Sequence, residues 1–164
     1  MNTGEMLLAA GGIMLMAFVF LNVNKGFENA DEVLLTSKLN VIATSLAASI
    51  IEEASGKSFD ERSIGAQLEN RNDLSKPHKL GTDEEDQNYP DFDDFDDFNE
   101  FFDTTSIVGI NYRIDCVVDY VDENDPEVVL SDESWLKKIT VHVSSPYMTD
   151  TVSLSYVYSY FFFR

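Results

Sequence analysis

A run of sixteen apolar or small residues, Met6–Leu21, preceded by a single carboxylate at Glu5, constrains this chain more than any other feature. Such a run is slightly short of the ~20 residues that cross a bilayer core as a helix. Asn22, Asn24, Lys25 and Gly26 end it. A secretory signal peptide is the rival reading, but the one charge ahead of the run is negative and no small-residue cleavage site follows. Glu5 is therefore misplaced for both ordinary explanations. A carboxylate in apolar surroundings costs several kcal/mol, about the price of an unpaired buried charge, unless a cation sits beside it. Two roles stay open for Glu5: pairing with a cation, or an exposed position helped by the positive end of its own helix.

Beyond Phe27 the pattern becomes one-sided. Leu35, Leu39, Ile42, Leu46 and Ile50 recur at intervals of four, three, four and four, which is a single helical stripe. Leu34, Val41 and Ile51 widen it, while Ser37, Lys38, Asn40, Ser45 and Ser49 fall mostly between. Gly56 is a fitting C-terminal stop. Read as one helix of about fifty residues, the segment is ~75 Å long at 1.5 Å per residue. A globule of this size has no use for such a length, whereas a stalk does. Gly11-Gly12 interrupts it with either a bend or a place for another helix to approach closely.

The remaining chain is acidic. Thirty Asp and Glu against eleven Lys and Arg give a net charge of −19, which repels phosphates and argues against direct nucleic-acid binding. Cys116 is the only cysteine, so neither an intrachain disulfide nor a multi-cysteine metal site is available. Its apolar neighbours read as those of a small buried hydrophobe. Lys57–Gly81 reads as loop with one short helix. Acids crowd from Asp83 to Asp103, with Phe92, Phe95, Phe98, Phe101 and Phe102 threaded through the second half. Rings at every third residue belong on one side of a helical turn, with paired aspartates on the other.

From Ile107 the residues are those of strands. Ile107–Val121 is β-branched and aromatic, and an acidic turn at Asp122–Pro126 stops it. Val128–Leu130 is too short to assign. Ile139, Val141 and Val143 alternate with Thr140, His142 and Ser144, and Val152, Leu154, Tyr156, Tyr158 and Tyr160 fall in phase. The expected fold is α+β: a long N-terminal helix, apolar then amphipathic, packed on a three-stranded antiparallel sheet. The expected divisions are 1–26, an apolar membrane or filament-core helix; 27–56, its amphipathic continuation; 57–106, a polar and acidic connection; and 107–164, the sheet.

This arrangement, with Met1, Asn2, Thr3, Gly4 and Glu5 ahead of the apolar helix, resembles the type IV pilin superfamily of pilins, pseudopilins and related filament subunits. The likeness covers the whole architecture and is specific only at the N-terminus. It implies that Glu5 neutralises the terminal amine of Met1 in an adjacent subunit, and that Met1, Glu5, Gly11 and Gly12 serve assembly. It implies a non-enzymatic subunit of an extracellular pilus-like filament, held in the inner membrane by a single pass before assembly. Its partners would be copies of itself and a pilus or secretion assembly machinery. Asn22 stands where the family commonly has proline. The family's short basic leader does not precede Met1, so the chain reads either as a processed form or as one retaining its initiator.

Two other functions compete: a pseudopilin of a type II secretion-like machine, and a membrane-anchored binding module, calcium-dependent or not, that never polymerises. Calcium takes hard oxygen ligands, and Asp93, Asp94, Asp96 and Asp97 are the candidates. The run departs from an EF-hand because Phe95 stands where a third ligand belongs. The expectation is instead a solvated acidic face above Phe rings packed in the core, with no resident cofactor. His78 and His142 belong to no nucleophile motif, and no G-x-S-x-G, HExxH or phosphate loop occurs. The terminal aromatics from Tyr156 to Phe163 are expected to pack in the core or between subunits.

Overall fold

In the computed structural model, residues 2–64, 67–82 and 88–162 are described. Met1, the acids at 83–86 and Phe163, all singled out from the sequence, lie outside them. One α-helix, α1, spans Thr3–Ser55. The chain divides into two compact units, Met1–Leu39 and Asn40–Arg164.

The first unit is helix alone. It holds an 18-residue window of mean hydropathy 2.2 in which no residue is buried. By length and composition this helix can cross a membrane.

The second unit contains a four-stranded antiparallel sheet in sequential order: β1 (Phe102–Ile107), β2 (Ile110–Tyr120), β3 (Leu136–Ser144) and β4 (Val152–Ser159). The expected sheet had three strands. Ile107 ends the first arm of a hairpin and Ile110–Tyr120 is the second, because the chain reverses at Val108 and Gly109 with φ of 53° and 77°. Two consecutive positive φ values are the signature of the tight turn that suits the twist of paired strands. Glycine adopts such a conformation freely, whereas β-branched valine does not. Val108 therefore concealed the turn from a reading based on residue type.

Alternation sets the sheet's buried face. Tyr112, Ile114, Cys116, Val118 and Tyr120 of β2 are buried, as are Lys137, Ile139, Val141 and Val143 of β3. Their register joins Ile114 to Val143, Cys116 to Val141, Val118 to Ile139 and Tyr120 to Lys137. Burial raises the Cys116 thiol to about 12, as befits a packed hydrophobe. The opposite face is polar, with cross-strand hydrogen bonds between Thr140 and Ser155 (3.1 Å) and between His142 and Ser153 (2.7 Å).

Within this unit the end of α1 contributes Ala43, Ala47, Ile50 and Ala54 to the core, the three alanines fully buried. Of the stripe read from sequence, Leu39 and Ile50 are buried and Leu35 is exposed. Leu46 and Ile42 are half-buried, and alanine forms the centre line. Small side chains let a helix approach its neighbours closely, so the packing here is tight rather than thick. Phe92, Phe95 and Phe98 complete the core, Phe92 meeting Phe98 edge-on at 5.0 Å and Phe95 meeting Tyr158 at a tilt at 4.9 Å.

Candidate functional site

Two places concentrate chemistry. In the first, at the N-terminus, Glu5 is exposed and its Oε2 accepts a long hydrogen bond from the Asn2 amide (3.4 Å). Among the described residues nothing lies within 4 Å of a Cβ built on Gly11 or Gly12. Nothing near them requires glycine, although each glycine weakens a helix interior by about 1 kcal/mol relative to alanine. Met6, Leu7 and Leu8 are exposed, as are all large apolar side chains from Ile13 to Val23.

The second place was not foreseen. Lys137 is completely buried on β3, in phase with Ile139, Val141 and Val143. Its ammonium donates to Asp60 Oδ2 (2.9 Å), to the Phe59 carbonyl (2.8 Å) and, at very short range, to Asp96 Oδ1. The rings of Phe59 and Tyr120 face it, their centroids 4.6 and 5.2 Å away.

Local backbone structure delivers the two acids. After α1 the chain turns and Ser58 forms a bridge with Asp94, the Phe95 amide donating to the Ser58 carbonyl (2.8 Å). Asp60 and Asp96 each follow this bridge by two residues. Asp60 begins the 3-10 turn Glu61–Ser63 and receives the Arg62 amide (3.1 Å). It also accepts from the Ser75 amide and hydroxyl and from the Tyr120 hydroxyl. Burial works to raise its pKa, but Lys137 and these donors outweigh burial and hold the carboxyl below its ordinary range.

Asp94 and Asp97 fold the next 3-10 turn, Asp96–Phe98, around themselves. Asp94 Oδ1 accepts the amides of Asp96 (2.8 Å) and Asp97 (3.0 Å), and Asp97 Oδ2 accepts those of Asp93 (3.0 Å) and Asp94 (3.3 Å). The expectation of a solvated acidic face is therefore overturned. Asp94, Asp96 and Asp97 are buried, because carboxylates that satisfy backbone amides and a lysine need no water. Burial and the neighbouring Asp96 raise Asp94 to about 9, so it is protonated at neutral pH. Burial lifts Asp96 to about 6, against the pull of Lys137.

Of the four acids named as calcium ligands, Asp94, Asp96 and Asp97 have these other uses, while Asp93 is exposed. Among the described residues no three His, Cys, Asp or Glu side chains gather as a metal site. His78 lies in the 3-10 turn Pro77–Lys79 and His142 on the polar sheet face. The signal that would have found Lys137 was present in the sequence, since it continues the Ile139–Val143 alternation backwards by one step.

Compared with protein-family models, curated proteins and solved structures, the chain gives no match in any of the three.

Proposed function

We propose that this chain is a non-enzymatic structural subunit of an extracellular pilus-like filament, assembled through its N-terminal helix. One observation carries the reading: apolar side chains remain uncovered over more of α1 than a bilayer would hide. A bilayer core of ~30 Å accommodates about twenty helical residues. Met6–Val23 fills that length. Phe27, Val33, Leu34 and Leu35 are 67, 65, 53 and 53% exposed beyond it, among the charges of Lys25, Glu28, Asp31 and Glu32. A lone membrane anchor leaves this second stretch in water. Helices of neighbouring copies would cover both stretches at once, and apolar surface taken from water contributes about 25 cal/mol per Å².

Gly11 and Gly12, which no neighbour within the chain requires, suit a close helix–helix approach. Glu5 then faces the amine of an adjacent copy, where a charge-assisted pair offsets the cost of leaving water. Before assembly, the helix holds the subunit in the membrane, with Asn40 onward outside the cytoplasm. Glu5→Ala tests this: the membrane-held subunit should persist at wild-type level while filament yield falls severely. Unchanged filament yield would remove the pairing role.

A further inference from the structure

We propose that Lys137 and Asp96 become joined by an intramolecular amide bond between Nζ and Cγ, formed autocatalytically once the second unit has folded. This rests on the buried site alone and holds whether or not the chain forms filaments. An amide between amine and carboxyl needs the two in contact, water excluded, and groups that move protons between them. All three are present. Lys137 is fully buried and Asp96 nearly so, and Nζ donates directly to Asp96 Oδ1. The Phe59 and Tyr120 rings wall off Nζ.

Asp60 lies 2.9 Å from Nζ on another approach, placed to take a proton from it. The Asp94 carboxyl is hydrogen-bonded to that of Asp96 and carries a proton at neutral pH.

The two acids touching Lys137 are not equivalent. Asp60 keeps its charge through the Ser75 amide and hydroxyl, the Arg62 amide and the Tyr120 hydroxyl. Donors that hold a carboxylate anionic make its carbon a poor electrophile and its oxygens a good base. Asp96 meets a neutral acid instead, which favours attack at its carbon. Asp60 is thus the base and Asp96 the acceptor.

The step balances without any co-reactant. Asp60 takes one proton from the Lys137 ammonium while Asp94 protonates an Asp96 oxygen. The free amine attacks Asp96 Cγ, forming the C–N bond, and the nitrogen returns a second proton to Asp94. Asp60 then gives its proton to the departing hydroxyl, the C–O bond breaks, and water leaves. Asp60 ends as carboxylate and Asp94 as acid, both as they began. The buried Asp60 charge retains its four other donors after its cation is gone. The product ties the turn before β1 to β3, in a chain whose single cysteine cannot make an internal disulfide.

The full chain, purified in detergent and shown folded by circular dichroism, is digested after denaturation and analysed by tandem mass spectrometry. The expected product is a branched peptide joining Lys137 to Asp96, one water lighter than its two arms. In the denatured intact chain, Lys137 should resist an amine-labelling reagent that modifies the other lysines. Asp60→Asn, which retains the side chain's shape, should give linear peptides and a labelled Lys137. Linear peptides with full labelling of Lys137 in the folded wild-type protein would overturn the bond. A branched peptide at wild-type yield in Asp60→Asn would overturn the role of Asp60.

Discussion

The two units break the usual placement of side chains in opposite directions. Along the helix of the first, large apolar residues are exposed; inside the second, a lysine and four aspartates are buried. Both conditions are costly unless a partner compensates. In the second unit each compensating group belongs to the same chain: Lys137 meets Asp60 and Asp96, and the Asp94 and Asp97 carboxyl groups meet backbone amides. In the first unit the large apolar side chains from Met6 to Leu35 are exposed, and under the proposed function neighbouring copies cover them. Under the proposed function, the contrast separates a region stabilised from within the chain from one stabilised by neighbouring copies.

The largest effect is expected at Lys137. Lys137→Met leaves Asp60 and Asp96 buried with neither the ion pair nor the amide that Lys137 supplies, and the expected loss is about 3–5 kcal/mol of unfolding free energy. Denaturant titration of the full chain in detergent measures it; a change below about 1 kcal/mol would mean the acids find other compensation.

Next in size is Ala47→Leu on the buried line of α1, where added methylenes should cost about 1–3 kcal/mol by overpacking. Thermal melts would register it, and an unaffected midpoint would show that space remains against that helix face.

A more diagnostic effect is pH dependence. Asp94 has its pKa raised from 3.8 to about 9 in the folded chain, so the fold binds a proton that the unfolded chain releases above pH ~4. Its contribution is complete below 3.8 and declines as pH rises, being lost by about 9. The sign is opposite for Asp60, whose lowered pKa gives a contribution lost in acid. Asp94→Asn imitates the protonated acid and retains an oxygen for the Asp96 and Asp97 amides. Melting from pH 5 to 9 should decline less steeply in this variant than in wild type; parallel slopes would remove Asp94 as the source.

Smaller still, Val108→Gly relieves a β-branched residue at φ 53° that is 91% exposed, and should raise stability by up to ~1 kcal/mol.

At the far end of the scale, Leu34→Ser with Leu35→Ser should change unfolding by less than about 0.5 kcal/mol, since both are exposed in the single chain. Their effect should appear as lost assembly. A loss of stability without a loss of assembly would dissolve the distinction between the units.

Much of this division is legible in the sequence. The apolar run, the helical periodicity and the strand alternation are local patterns, and local patterns survive without knowledge of tertiary contacts. What stayed hidden depends on partners distant in sequence or on one residue breaking its own preference. Val108 masked a hairpin by occupying a turn position that favours glycine. The alanines of α1 carry the core without the bulk that marks a hydrophobic stripe. The aspartates around Phe95 read as solvated because charge ordinarily is, and their burial rests on Lys137, forty-one residues beyond Asp96. Lys137 itself was concealed by residue type, although its position in the alternation places it inside.

The most direct test of the central claim is electron microscopy of the sheared surface fraction of cells producing the intact chain, with immunogold against the second unit. The account predicts filaments decorated along their length, and the loss of those filaments in cells producing Glu5→Ala. Recovery of the chain solely as dispersed membrane-bound monomers, with no decorated filament, would contradict it.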